Sequence, residues 1–309
     1  MIVDVIIPVY KPGQELFALI DKLEKQSLPV NNIILMNTEE KYLERLTYGT
    51  GFWEKYRNVK VFHLSKREFD HGKTRHTGVQ KSQAEIFVMM TQDALPADEY
   101  LLETLVSRLT GKTAVAYARQ LPAKTCSVLE RFTRQFNYPQ TSCMKSLEDL
   151  QRLGIKTFFC SNVCAAYRRD IYEELGGFIR HTIFNEDMIY AAGAIKAGYS
   201  IAYEAGARVY HSHNYTNMQQ LRRNFDLGVS QADHPEIFAG VRSESEGKRM
   251  VREATRYLKK NHMLKKLPYF YMQCASKYAG YLLGKHYRKL PRKLVMKITT
   301  NREYWLSRV

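Results

Sequence analysis

Ile2-Val3-Asp4-Val5-Ile6-Ile7-Pro8-Val9-Tyr10 is the stretch on which the fold turns. It is short, apolar and rich in β-branched residues, and it runs into a proline-containing turn, the pattern of a buried strand. A second run of the same kind, Glu85-Ile86-Phe87-Val88-Met89-Met90, ends in Thr91-Gln92-Asp93. Strands are predicted at 2–8, 31–36, 59–63, 85–90 and 113–118. Helical patterns fall between them. One runs from Gln14 to Gln26, with Leu16, Phe17, Leu19, Ile20 and Leu23 on one face; others run from Thr74 to Ser82 and from Asp98 to Leu109. Alternation at this spacing predicts βαβ units and a mainly parallel sheet, an α/β class. Ligands of such sheets bind beyond the carboxyl ends of the strands, so the residues after Ile7 and after Met90 are the first to weigh as a site.

The rest of the chain is less regular. The stretch 124–156 reads as mostly helical. Ser161 to Tyr167 reads as a strand, followed by a helix over Arg168–Leu175 that Gly176-Gly177 stop. Asp187–Ala197 reads as a helix, and Ile201–Tyr203 and Arg208–Tyr210 as two short strands. From about 216 onward helix is predicted, broken near Pro268 and Pro291. The expected division is a catalytic domain over 1–215 and a helical extension over 216–309.

Charge divides the chain more sharply than hydrophobicity does. Residues 248–309 hold 17 Lys and Arg against two acids, Glu253 and Glu303, a balance of +15 out of the +16 of the whole. Such a tail calls for an anionic partner. It also carries Tyr269, Phe270, Tyr271, Tyr278, Tyr281, Tyr287, Tyr304 and Trp305, with Tyr271, Cys274, Tyr278, Tyr281 and Leu282 at helical spacing. A basic helix with an aromatic stripe suits the headgroup region of an anionic membrane. The bland reading packs that stripe on the body and leaves the cations as a solvated face. No nucleic-acid motif accompanies the charge, so no nucleic-acid partner is expected. No apolar run of membrane-spanning length and no signal peptide is recognised. Five cysteines without metal spacing read as free thiols of a reducing compartment.

Four polar groups are placed to carry chemistry. Asp93 follows a buried strand, where a carboxylate can hold a divalent cation on a diphosphate; its plain alternative is a helix cap. Phe69-Asp70-His71-Gly72-Lys73-Thr74-Arg75 puts a glycine and two cations at a helix start, a diphosphate cradle or an ordinary loop. Glu186-Asp187 opens a helix, as a base near an acceptor hydroxyl or as a capping pair. His211-Ser212-His213 follows a strand, and the two imidazoles of an extended segment face one way, toward a metal, a phosphate or a structural partner.

Taken in order, these pieces resemble the family 2 glycosyltransferases of the GT-A fold over roughly residues 1–215. The resemblance implies that the Pro8-Val9-Tyr10 turn lies against the nucleotide base. Thr91-Gln92-Asp93 matches an Asp-x-Asp motif with Thr91 near the ribose and Asp93 as ligand of Mg²⁺ or Mn²⁺. Glu186-Asp187 matches the Glu-Asp pair whose aspartate is the base, and His211, or else His213, matches a metal-binding histidine. Asn37-Thr38-Glu39-Glu40 stands where the family has acids for base and ribose. With the Lys73–Arg75 loop, this is most similar to the bacterial rhamnosyltransferase-type branch. The resemblance implies a nucleotide-diphosphate sugar donor, best matched by deoxythymidine-diphosphate rhamnose, and a glycan or lipid-linked acceptor. It further implies a cytoplasmic enzyme held at the inner face of the plasma membrane. Two rivals remain at this level. A nucleotidyltransferase would need a glycine- and arginine-rich signature after the first strand, which Lys11-Pro12-Gly13-Gln14 lacks. An adaptor that has lost catalysis is allowed by Thr91 and Asn37, and turnover of a donor would separate it.

Overall fold

The computed structural model describes residues 2–241 and 244–306. Nine strands form one sheet: β1 (Val3–Tyr10), β2 (Asn32–Thr38), β3 (Val59–Leu64), β4 (Ile86–Met90), β5 (Leu95–Pro96), β6 (Thr113–Leu121), β7 (Cys143–Lys145), β8 (Cys164–Arg168) and β9 (Ser200–Tyr210). Their order is β3-β2-β1-β4-β8-β6-β9-β5, with β7 on β9. The first four are parallel, β8 is antiparallel between β4 and β6, and β6 and β9 are again parallel. The carboxyl ends of β1, β2, β4, β6 and β9 therefore share one edge with the amino end of β8.

Alternation along β1 decides which helices cover which face. Val3, Val5, Ile7 and Val9 enter one core with Leu16, Leu19, Ile20 and Leu23 of α1 (Gln14–Glu24). Ile6 faces the second core, with Val79 of α2 (His71–Gln80) and Met188, Ala191 and Ile195 of α3 (Glu186–Lys196). Asp4, fully buried in this apolar strand, is satisfied at both oxygens. Oδ1 accepts from Asn31 and Asn32, and Oδ2 from the Ser82 hydroxyl at 2.7 Å. Pro8 falls where β1 pairs only with β2, because the β4 ladder stops at Ile6–Met89. Its missing N–H costs nothing there. The strand order reverses at that point, with β2 and β3 on one side of β1 and β4 on the other.

Several sequence expectations are corrected. The two short strands at 201–203 and 208–210 are one strand, β9, interrupted by a bulge between Glu204 and Arg208. The helix expected over 98–109 is confined to Leu101–Val106, since Asp98 makes a local turn to Tyr100 and an ion pair with Arg208. Within 124–156 the long helix is α4 (Val128–Asn137), and Cys143–Lys145 is a strand.

Beyond the sheet, α5 (Asn217–Asp233), α6 (Glu244–Lys260), α7 (Leu267–Lys285), α8 (Arg292–Ile298) and α9 (Arg302–Leu306) complete the chain. The α5 and α7 helices touch backbone to backbone. A Cβ on Gly280 would lie 2.1 Å from the Leu221 carbonyl oxygen, and one on Gly284 2.1 Å from that of Phe225. Tyr304 and Trp305 are buried with Ile183 and Phe225. Phe270 is buried with Leu129 of α4. Two of the five residues of the expected stripe are thus internal. Tyr281 donates to Gln231 and Cys274 packs against the Leu129 cluster, while Tyr271, Tyr278 and Leu282 face outward. No helix among the described residues is long and apolar enough to cross a membrane.

Candidate active site

The functional side chains converge because so many strands end at one edge. Thr91-Gln92-Asp93 leaves β4 on the far side of the strand-order reversal from Tyr10, the place where open sheets bind ligands. Gln92 spans that gap, accepting from the Tyr10 N–H at 2.8 Å and donating to its carbonyl at 3.1 Å. The Tyr10 ring remains 38 % exposed, edge-on to Tyr42 and beside the Lys11 ammonium, and so offers an aromatic surface at the edge.

Asp93 is not a helix cap. Its carboxylate meets His211 Nε2 at 3.6 Å and His213 Nε2 at 3.2 Å. The three residues form the one group among those described whose donor atoms, all within 4.8 Å of each other, suit a metal ion. Both histidines, not one, come to Asp93, because residues 211 and 213 continue the extended course of β9. Gln120, at the end of β6, faces the His211 Nδ1 at 2.9 Å with Oε1, which also accepts from Arg134. Nδ1 therefore carries the proton, and the lone pair of Nε2 points at Asp93. The two Nε2 atoms are 3.0 Å apart. With His211 Nε2 unprotonated, a His213 tautomer protonated at Nδ1 turns both imidazoles and the Asp93 carboxylate into converging acceptors, a donor set that fits a divalent metal. Two imidazoles and a carboxylate suit Mn²⁺ better than Mg²⁺.

Gln120 also donates through Nε2 to the Ser161 hydroxyl at 3.0 Å and to the Tyr138 hydroxyl. The next residue, Asn162, grips the acid pair. Its N–H donates to Asp187 Oδ2 at 3.0 Å and its side-chain amide to Glu186 Oε1 at 3.0 Å, while its own Oδ1 accepts from Tyr167. One polar chain thus joins the metal trio to the two acids. Replacing Gln120 with Ala is expected to weaken Mn²⁺ binding about 10- to 100-fold, as losses of a ligand's orienting partner do. Titration of Mn²⁺ by electron paramagnetic resonance reads this directly.

The two adjacent acids differ in state. Asn185, with φ 66°, turns the chain so that both carboxylates lie at the start of α3. Glu186 is buried, yet the Arg75 guanidinium 3.2 Å away, helped by the Asn162 amide, overcomes desolvation and holds its carboxyl below the ordinary value. Burial, with the Glu186 charge behind it, pushes the partly exposed Asp187 up to about 7. Burial also lowers His71 to about 4, leaving it neutral and Arg75 the cation of the cluster.

The sequence expectation set Lys73 and Arg75 against a diphosphate. Arg75 instead turns inward to Glu186, and only Lys73 is exposed. The α2 N-terminus is occupied by Asp70, which accepts from Gly72 and Lys73 N–H at 2.8 and 3.0 Å and binds the Thr182 N–H. Gly72 is required there, since a Cβ would sit 1.8 Å from the Ile179 oxygen. Asn37 is fully buried and donates to His63, with Oδ1 unpartnered. The Thr38 and Thr91 hydroxyls are likewise buried without partners at this edge. Gln120, Asn162 and His213 as a second imidazole were missed as site residues or ranked lower. Only the spacing of His211 and His213 hinted at any of the three.

Comparison with known proteins accords with this geometry. The glycosyl transferase family 2 model matches residues 4–176. The chain belongs to that family. It is a glycosyltransferase, 37% identical over 310 residues to the O-antigen chain rhamnosyltransferase RfbN of Salmonella typhimurium, covering 99% of this chain and 96% of that one. It is also 37% identical to WbaN of Salmonella anatum, another O-antigen chain rhamnosyltransferase, over 97% of this chain and 94% of the other. Among solved structures, the Pyrobaculum calidifontis mannosyltransferase PcManGT, in complex with GDP-Man and Mn²⁺, superposes with a TM-score of 0.61. It is 14% identical, with 92% of this chain and 86% of that one covered. S. aureus TarS 1–349 with UDP-GlcNAc gives a TM-score of 0.53 at 15% identity, covering 94% and 92%. At such identities these two structures show the shared fold.

Proposed function

We propose that this glycosyltransferase moves rhamnose from a deoxythymidine-diphosphate donor, with inversion, to a hydroxyl of a glycan or lipid-linked acceptor in cell-surface polysaccharide synthesis. The observation that carries the chemistry is the split acid pair, linked through Asn162 and Gln120 to the Asp93–His211–His213 trio. Similarity at 37% identity over nearly the whole chain to two rhamnosyltransferases supports the sugar.

Glu186 stays ionised beside Arg75 and raises the basicity of Asp187, which matches a base working near neutral pH. Asp187 takes the proton of the acceptor hydroxyl as its oxygen bonds to the anomeric carbon. The bond to the donor diphosphate breaks on the opposite face, and the diphosphate leaves with the electron pair. A divalent cation held by Asp93, His211 and His213 would supply positive charge to the diphosphate. Tyr10 offers its ring to the base, and the unpartnered hydroxyls of Thr38 and Thr91 suit the ribose. A panel of nucleotide sugars with Mn²⁺, followed by nucleoside diphosphate release, tests the reading. Deoxythymidine-diphosphate rhamnose should turn over fastest. Faster release from another donor would overturn the sugar, and release from none would leave an adaptor.

The reading includes docking on the cytoplasmic face of the plasma membrane. Leu264, Tyr271, Met272, Tyr278 and Leu282 are 56, 45, 53, 54 and 36 % exposed along one side of α7 and its approach. The basic tail surrounds them, and each cation near an anionic surface contributes about 1 kcal/mol. Met272→Asp with Leu282→Asp should reduce binding to phosphatidylglycerol vesicles at least about tenfold and leave donor turnover intact. Unchanged vesicle binding would remove the membrane from the reading. Truncation is the wrong test, because Gly280, Gly284, Tyr304 and Trp305 are built into the body.

A further inference from the structure

The α7 helix presents a second face. Lys266, Tyr269, Gln273 and Lys277 recur at three- and four-residue spacing and so line up on one side. They form one wall of a pocket of about 180 Å³ whose other walls include Glu130 and Thr133 of α4 and His213 with Tyr215. His213 belongs to the metal trio, so the pocket opens beside the reacting centre. Its volume equals about six waters at ~30 Å³ each, enough for one sugar ring or one phosphate group.

The pocket carries an excess of positive charge. Its acid, Glu130, is already paired with Arg134 at 2.6 Å. Lys266 is exposed. Lys277 is partly enclosed and has no hydrogen bond or ion pair among the described residues, although burial depresses its pKa. An enclosed ammonium without a partner is costly unless an anion arrives to meet it. The Tyr269 ring is 46 % exposed and available to a sugar face. The neighbouring side of the same helix bears the outward apolar residues Met272 and Leu282, with Leu264 in the turn before it.

We infer that this pocket is the acceptor subsite, and that Lys277 and Lys266 bind a phosphate or diphosphate ester of the acceptor while Tyr269 and Gln273 contact the adjoining sugar. The inference rests on the glycosyl-transfer reading above. It makes α7 a specificity element rather than a mere cover. It also places an anion-binding wall and a bilayer-facing stripe on one helix, so that a lipid diphosphate has a continuous path from the surface to the centre.

Direct binding tests this without turnover. The full chain, with EDTA present so that no metal draws in diphosphates, is titrated calorimetrically with farnesyl diphosphate, glucose 1-phosphate and uncharged farnesol. Lys277→Gln and Lys266→Gln are compared with Lys297→Gln, a surface change outside the pocket. At least one phosphate probe should bind the native chain and lose about tenfold or more in each pocket variant, the scale of a lost charge-assisted hydrogen bond. Lys297→Gln should match the native chain. Preference for farnesyl diphosphate identifies a lipid source, and preference for glucose 1-phosphate a sugar phosphate. Equal affinity in both pocket variants, or no binding of either phosphate probe, overturns the inference. If Lys277→Gln fails to fold, the exposed Lys266→Gln decides. Donor release with Mn²⁺ is measured separately, so failure of the pocket and failure of the glycosyl-transfer reading are told apart.

Discussion

Asp187→Asn is expected to cut turnover about 10²- to 10⁴-fold with donor affinity nearly unchanged, the scale of a lost general base. The amide keeps the size of the side chain and can still accept from the Asn162 N–H, so the fold should survive. Because Asp187 sits at about 7, native turnover should fall as pH drops through neutrality, and this acid limb should vanish in the variant. Stability should move the other way. A carboxyl whose folded pKa is raised binds its proton more tightly in the native state, so native stability declines as pH rises from its ordinary value of 3.8 toward 7. Asp187→Asn removes that decline and should melt no lower than the native protein at pH 8. Near-normal turnover in the variant, or an acid limb that persists, would take Asp187 out of the role of base.

Asp93→Ala should abolish tight Mn²⁺ binding and lower turnover by about 10²- to 10³-fold, comparable to losing one stabiliser of developing charge. It removes the only carboxylate of the trio and leaves two imidazoles whose Nε2 atoms are 3.0 Å apart. EDTA should do to the native enzyme what the substitution does, and Mn²⁺ should restore the native enzyme alone. His211→Ala and His213→Ala should both weaken the metal if both are ligands; a loss confined to His211→Ala would return to the single histidine expected from the sequence. Activity indifferent to EDTA, with Asp93→Ala still turning over, would leave the departing diphosphate to cations such as Lys73.

Much of the site was legible because it follows strands that the hydrophobic pattern reveals. Tyr10, Asp93 and His211 lie at or just beyond the carboxyl ends of β1, β4 and β9, and their order along the chain matches their meeting at one edge. The assignments that changed depended on contacts between distant segments. Arg75 looked like a phosphate ligand until Glu186, 111 positions later, was found opposite it. Gln92 is grouped by the sequence with the donor-binding residues, and the structure shows it clamping the Tyr10 backbone. Gln120 and Asn162 gave no local signal, since an amide at a strand end serves equally well in any solvated turn.

The amino-acid sequence by itself determined the α/β class and the charge of the tail, and it pointed to the sheet edge and the acids at 93 and 186–187 as the candidate site. The class and the charge are written in composition and in the period of single segments, which neighbouring residues decide, whereas the acids stand out through the order of motifs in the family resemblance. Only the tertiary structure decided which acid of the pair is ionised, because that depends on Arg75 and on burial. It alone decided that both histidines face Asp93. It also divided the tail: Gly280 and Gly284 press one side of α7 onto α5, and that contact fixes which of its aromatic and basic residues remain free to meet a membrane or an acceptor.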